Sequence, residues 1–139
     1  LVGWGSTYGP IHDAVKQALD HGEKIGAIHL RHLHPLPNGL EKIFAKFKRI
    51  VTVEMNDQGV YGFGQLATIL RARYCEPKIE SVTKTDGLTY RVREILEGVF
   101  KGQIFEKKVV KHAPHALSHV DTAPENVDSD KEVVPQGVG

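Results

Sequence analysis

Four short apolar runs, each separated from the next by a segment of helical period, restrict this chain more than any other feature. The runs are Leu1 to Trp4, Ile25 to Leu30, Arg49 to Met55 and Ile79 to Val82. Each is too short for a buried helix, and RIVTVEM carries the β-branched residues that suit a pleated surface. The segments between them place an apolar residue every three to four positions. Ile11, Ala14, Val15, Ala18 and Leu19 form the first stripe, and Leu40, Ile43, Phe44 and Phe47 the second. Leu66, Ala67, Ile69 and Leu70 form the third, and Val92, Ile95, Leu96 and Val99 the fourth. Strands joined by helical crossovers pair in parallel, because a tight turn can only join antiparallel neighbours. Residues 1–100 are therefore read as α/β, a mainly parallel sheet covered by helices.

Local signals agree with that order. Pro10 stands where a helix begins and its missing N–H costs nothing. His21-Gly22 closes that helix, and Pro35 and Pro37 stiffen the loop after the second run. Lys46, Lys48 and Arg49 are expected at the end of the second helix, where cations meet the negative end of the dipole. The third helix closes on Arg71 and Arg73, and Asp86-Gly87 makes the turn that precedes the fourth.

The 139 residues suit one domain with a real core. A net charge of +1 points to neither nucleic acid nor an acidic substrate. The one cysteine, Cys75, excludes an intrachain disulfide and any cysteine-built metal or iron–sulfur site within the chain. No signal peptide or membrane span is recognisable, so a cytoplasmic location is expected. The chain begins without Met inside a strand pattern, so a domain of a longer protein is expected. Its folded part is read as residues 1–105, followed by a flexible tail over 106–139. Residues 111–139 carry three prolines and no aromatic residue. His112, His115 and His119 lie there with Pro114 between them, and no metal site is expected of them.

Three stretches carry the candidate chemistry. Gly3-Trp4-Gly5-Ser6-Thr7-Tyr8-Gly9 is one residue longer than the dinucleotide fingerprint, and the second strand ends in Leu30-Arg31 rather than in an acid. An Arg can receive a 2′-phosphate, so a nucleotide-binding module stays as the alternative. The favoured reading gives Gly3 and Gly5 to tight strand-to-helix packing, with Ser6 or Thr7 satisfying orphan N–H groups. In the second stretch His29, His32 and His34 lack a third ligand type, while Arg31 can clamp loop carbonyls or a carboxylate. In the third, Glu54 ends a strand and could act as acid or base. No His, Ser or Cys partner is fixed near it, so a hydrogen-bonding role in the Gly-rich turn is favoured. Loops after parallel strands emerge at one carboxyl edge, so residues 5–10, 31–38 and 54–65 should converge. That edge is read as a contact surface for a partner domain. Its candidate residues are Gly5, Ser6, Thr7, Arg31, Pro35, Glu54, Asn56, Gly64 and Gln65; no catalytic residue and no metal ligand is expected in the chain.

LVGWGSTYGPIHDAV, HLRHLHPLP and VEMNDQGVYGFGQLATILRARY together resemble the C-terminal region of the α subunit of 2-oxoacid:ferredoxin oxidoreductases, most closely those acting on 2-oxoglutarate. The domain is similar to the transketolase C-terminal domain. Leu30-Arg31-x-x-x-Pro35-Leu36 and Glu54 followed by Gly62-Phe63-Gly64 recur in that superfamily, although DQGVYGF is longer than in many members. The resemblance spans about residues 1–100. It implies a three-layer α/β/α sandwich with the strands ordered second, first, third, fourth, and a further antiparallel edge strand from sequence upstream of Leu1. It also implies oxidative decarboxylation of a 2-oxoacid to acyl-coenzyme A, with electrons passing to ferredoxin. Thiamine diphosphate, Mg2+, iron–sulfur cluster and coenzyme A are implied for the whole enzyme, bound by its other domains and a β subunit. This chain alone would be an inactive assembly domain.

Overall fold

The computed structural model describes residues 1–101. The expected tail, with His112, His115 and His119, lies outside the described residues. Strand β1 (Val2–Trp4) leads through a 3-10 turn (Gly5–Thr7) into helix α1 (Tyr8–Asp20), and β2 (Ile28–Leu30) follows. Helix α2 (Leu40–Phe44), β3 (Ile50–Glu54), α3 (Gln65–Tyr74), β4 (Ile79–Thr83) and α4 (Val92–Val99) complete the order. The strands form one sheet in the order β2-β1-β3-β4 with every pair parallel. This is the α/β class and the strand order expected of a transketolase C-terminal-like domain.

Two cores, one on each face of the sheet, make three layers. Leu30, Phe44, Leu66, Leu70 and Ile79 fill the side covered by α2 and α3. Ile11, Ala14, Ala18, Val53, Ile95 and Leu96 fill the other, covered by α1 and α4. All five residues of the central strand β3 are buried, because helices cover both of its faces. Gly3 lies where β1 meets α1: a Cβ there would stand 2.2 Å from the Ile11 methyl and 2.7 Å from the Thr7 hydroxyl. Gly5 opens the turn with φ of +60°, a conformation that favours glycine. Close packing and tight turning account for both glycines, as their spacing implied.

The second helix departs from expectation. It holds five residues, and of the four apolar positions only Leu40 and Phe44 are buried; Ile43 and Phe47 remain exposed. Arg49 does not cap this helix. Its guanidinium lies 3.2 and 2.8 Å from the two Glu80 oxygens and donates to the Val99 carbonyl at 3.2 Å. Arg49 thus closes the C-terminal end of α4 instead, because β3 carries it alongside β4 and away from α2. The pair raises the Arg49 pKa and lowers that of Glu80, chiefly through the direct hydrogen bonds. Strand β2 is also shorter than the apolar run Ile25 to Leu30, since only its last three residues meet β1. No helix among the described residues is long and apolar enough to cross a membrane.

Candidate functional site

The loops after β1, β2, β3 and β4 all leave the sheet at its carboxyl edge. Between β1 and β3 the chain direction of the crossovers reverses, the place where open α/β sheets put their crevice. Glu54 ends β3 at that point and is wholly buried.

Its carboxylate is saturated. Oε1 accepts from the Thr52 hydroxyl at 2.7 Å and the Ala67 amide at 2.9 Å. Oε2 accepts from the Asn56 side-chain amide at 2.8 Å and the Leu66 backbone amide at 2.7 Å. Leu66 and Ala67 sit in the first turn of α3, so the negative charge stands against the positive end of the helix dipole. The other two amides of that helix start also find partners. Gly64 donates to the Ser81 hydroxyl at 3.0 Å and Gln65 to the Asn56 Oδ1 at 3.4 Å. All four orphan donors at the start of α3 are therefore satisfied by β3, β4 and Asn56. Gly64 is required by proximity alone: an added Cβ would lie 2.5 Å from the Glu54 carboxyl carbon. A buried carboxylate with each lone-pair site filled holds a helix in place and has no free position for a substrate proton.

Tyr90 completes this corner. Its buried hydroxyl lies 3.1 Å from the Glu54 backbone carbonyl and 3.0 Å from that of Val82, tying the ends of β3 and β4. Burial first, then the charges of Glu94, Glu54 and Asp86, push the phenol well above its ordinary value. The folded state thus holds this proton more tightly than the unfolded chain, and the resulting stability is present below about pH 10 and lost as pH rises through the raised value. Tyr90→Phe is expected to lower stability by about 1 kcal/mol near neutral pH and to remove this alkaline component. Chemical denaturation followed from about pH 8, below the phenol's usual range, to about pH 12, above it, checks both.

The other expected residues scatter across the same edge. Thr7 is buried, and its hydroxyl donates to the Trp4 carbonyl at 2.8 Å and accepts the Trp4 amide at 3.2 Å. The Ser6 hydroxyl meets the Met55 sulfur at 3.3 Å and joins the loops after β1 and β3. Arg31 is exposed and makes no hydrogen bond or ion pair among the described residues, so the clamp expected of it is not formed there. Pro35 is exposed in the same loop, which anchors through Leu33 and Leu36. No group of three His, Cys, Asp or Glu among the described residues could hold a metal ion, and His29, His32 and His34 form none. Sequence reasoning missed Thr52, Ser81 and Tyr90. Thr52-x-Glu54-x-Asn56 did carry a signal, since alternate strand residues share a face.

Among exposed polar residues such as Ser6, Arg31, Asp57 and Gln58, the edge also turns apolar side chains outward. Trp4, Tyr8, Met55, Leu88 and the loop tip Val60-Tyr61 are exposed there, Val60 at 97% and Tyr61 at 77%.

The family model for pyruvate:ferredoxin oxidoreductase core domain II matches residues 1–95. The chain belongs to that family. The 2-oxoglutarate oxidoreductase subunit KorA of Mycobacterium tuberculosis is 39% identical over 95 residues, 68% of this chain and 14% of the relative. The 2-oxoacid:ferredoxin oxidoreductase 2 subunit alpha of Aeropyrum pernix is 33% identical over 88 residues, 63% of this chain and 13% of the relative. The domain II chain thus spans about one seventh of the length of the curated relatives it matches. No solved structure matches it.

Proposed function

We propose that this chain is the domain II portion of the α subunit of a thiamine diphosphate-dependent 2-oxoacid:ferredoxin oxidoreductase of the cytoplasm, with 2-oxoglutarate as its substrate. The whole enzyme would decarboxylate the 2-oxoacid, pass its electrons to ferredoxin and deliver the acyl group to coenzyme A. Within it, this domain serves assembly through the carboxyl edge, against the other domains of the α subunit and a β subunit. Thiamine diphosphate, Mg2+, iron–sulfur cluster and coenzyme A belong to those other parts. One observation carries the reading: the strand-end acid Glu54 is spent on capping α3, while apolar side chains face outward around it. The names of the relatives, a 2-oxoglutarate oxidoreductase subunit and an alpha subunit, support the substrate and the subunit. The nucleotide-binding alternative is not favoured, because Gly3 packs on Ile11 and the Thr7 hydroxyl is consumed by Trp4.

Val60→Asp combined with Tyr61→Asp in the full-length α subunit tests it. Both side chains are exposed, so stability should change by less than about 0.5 kcal/mol. If the tip is an anchor, its contact should weaken by about 2 kcal/mol, roughly thirtyfold. Size-exclusion chromatography with light scattering reads the association of subunits, and limited proteolysis reads the docking of the domain within its own subunit. Neither changing would overturn the assembly role.

A further inference from the structure

The opposite, amino edge of the sheet carries a second surface that the carboxyl-edge reading does not use. A groove of about 850 Å3 runs there, beside the starts of β1, β2 and β3. Leu19, Ile25, Ile43 and Phe47 line it, and Leu19, Ile43 and Phe47 are exposed, although each falls on an apolar period of the sequence. Lys24, Lys46 and Lys48 stand among them, all exposed, and outnumber the one carboxylate of the lining, the half-buried Glu23. None of these three ammonium groups has an ion pair or hydrogen bond among the described residues. The strongest acid–base pair nearby, Arg49 with Glu80, is already closed on itself. An apolar floor with unpaired cations around it attracts a ligand that is apolar and negatively charged at once. The surface is recessed, so a planar lipid bilayer cannot lie against its floor, whereas a side-chain-bearing segment can enter.

We propose that this groove docks an acidic segment of a protein partner, its apolar side chains entering between Ile43, Phe47 and Leu19 and its carboxylates meeting Lys24, Lys46 and Lys48. This contact is separate from the one at the carboxyl edge and stands or falls independently of it.

The probe is a synthetic acidic peptide with leucines at helical spacing, titrated into the full 139-residue chain and followed by amide chemical shifts. Shifts should cluster on residues 19–28 and 43–50. Lys46→Glu with Lys48→Glu should weaken binding about tenfold, and added salt should weaken it in the same sense. Ile43→Asp should do so through the apolar floor, and Val60→Asp with Tyr61→Asp should leave it unchanged. A lysine-rich peptide of the same leucine pattern should not bind. The proposal fails if the acidic peptide does not bind, if the basic peptide binds equally well, or if the charge reversals have no effect. It fails equally if the shifts fall at the carboxyl edge. Contacts from residues 102–139 to Ile43 and Phe47 in the free chain would assign the groove to the chain itself and also overturn it.

Discussion

Glu54→Ala is expected to destabilise the domain by about 4 kcal/mol, a large share of the 5 to 15 kcal/mol that holds a typical domain folded. The truncation removes the acceptor for four donors at once: Thr52, Asn56, Leu66 and Ala67. Each buried donor left unpaired costs about 1 to 3 kcal/mol, partly offset where water can enter the space. Glu54→Gln keeps the shape but turns one acceptor oxygen into an NH2 group. Each carboxylate oxygen already accepts a backbone amide of α3, so a donor must then face a donor, at a cost of about 2 kcal/mol. Urea denaturation reads both as a lowered midpoint at unchanged slope. If Glu54 were instead a catalytic group held at some expense to the fold, either variant would leave stability equal or higher. That result would sink the capping role.

Gly64→Ala carries the second large effect. Its φ of −58° is open to any residue, so the backbone itself sets no penalty. The obstacle is the Glu54 carboxyl group, whose atoms would lie 2.5 to 2.9 Å from the new methyl. Neither side can move freely: Glu54 is held by four hydrogen bonds and α3 is packed through Leu66, Ala67 and Leu70. Overpacking of this kind costs about 2 to 3 kcal/mol. The cause is separable by a double-mutant cycle. In a Glu54→Ala background the same Gly64→Ala change should cost less than about 1 kcal/mol, since the obstructing group is gone. Additive costs would show that Gly64 is constrained by something other than Glu54.

Much of this architecture is written in local patterns. β3 could be read from RIVTVEM because a central strand must be apolar or small on both faces, and it is buried throughout. Helices α1 and α4 follow their stripes because those stripes, Leu19 excepted, face the sheet. The same rule overextended α2: Ile43 and Phe47 keep the helical period, but periodicity counts residue types and cannot say what covers them. The site was legible in part. Glu54, Asn56, Gly64 and Gln65 stand out as polar and glycine positions around one turn. Their partners Ser81 and Tyr90 do not, because strand pairing decides who stands beside whom. Register sets Thr52 against Ser81, and the Tyr90 hydroxyl reaches the Glu54 carbonyl from 36 residues away. Arg49 shows the same limit, since its true neighbours Glu80 and Val99 lie 31 and 50 positions distant.

The bonds from Glu54 to the start of α3 connect residues only 12 and 13 positions apart. Closing a span that short costs little chain entropy and takes well under a microsecond as an elementary event. A nascent polypeptide that has emerged as far as Ala67 already holds both halves of this clasp. The crossover from third strand to third helix can therefore lock before the fourth strand has left the ribosome, leaving β4 a finished edge to pair with.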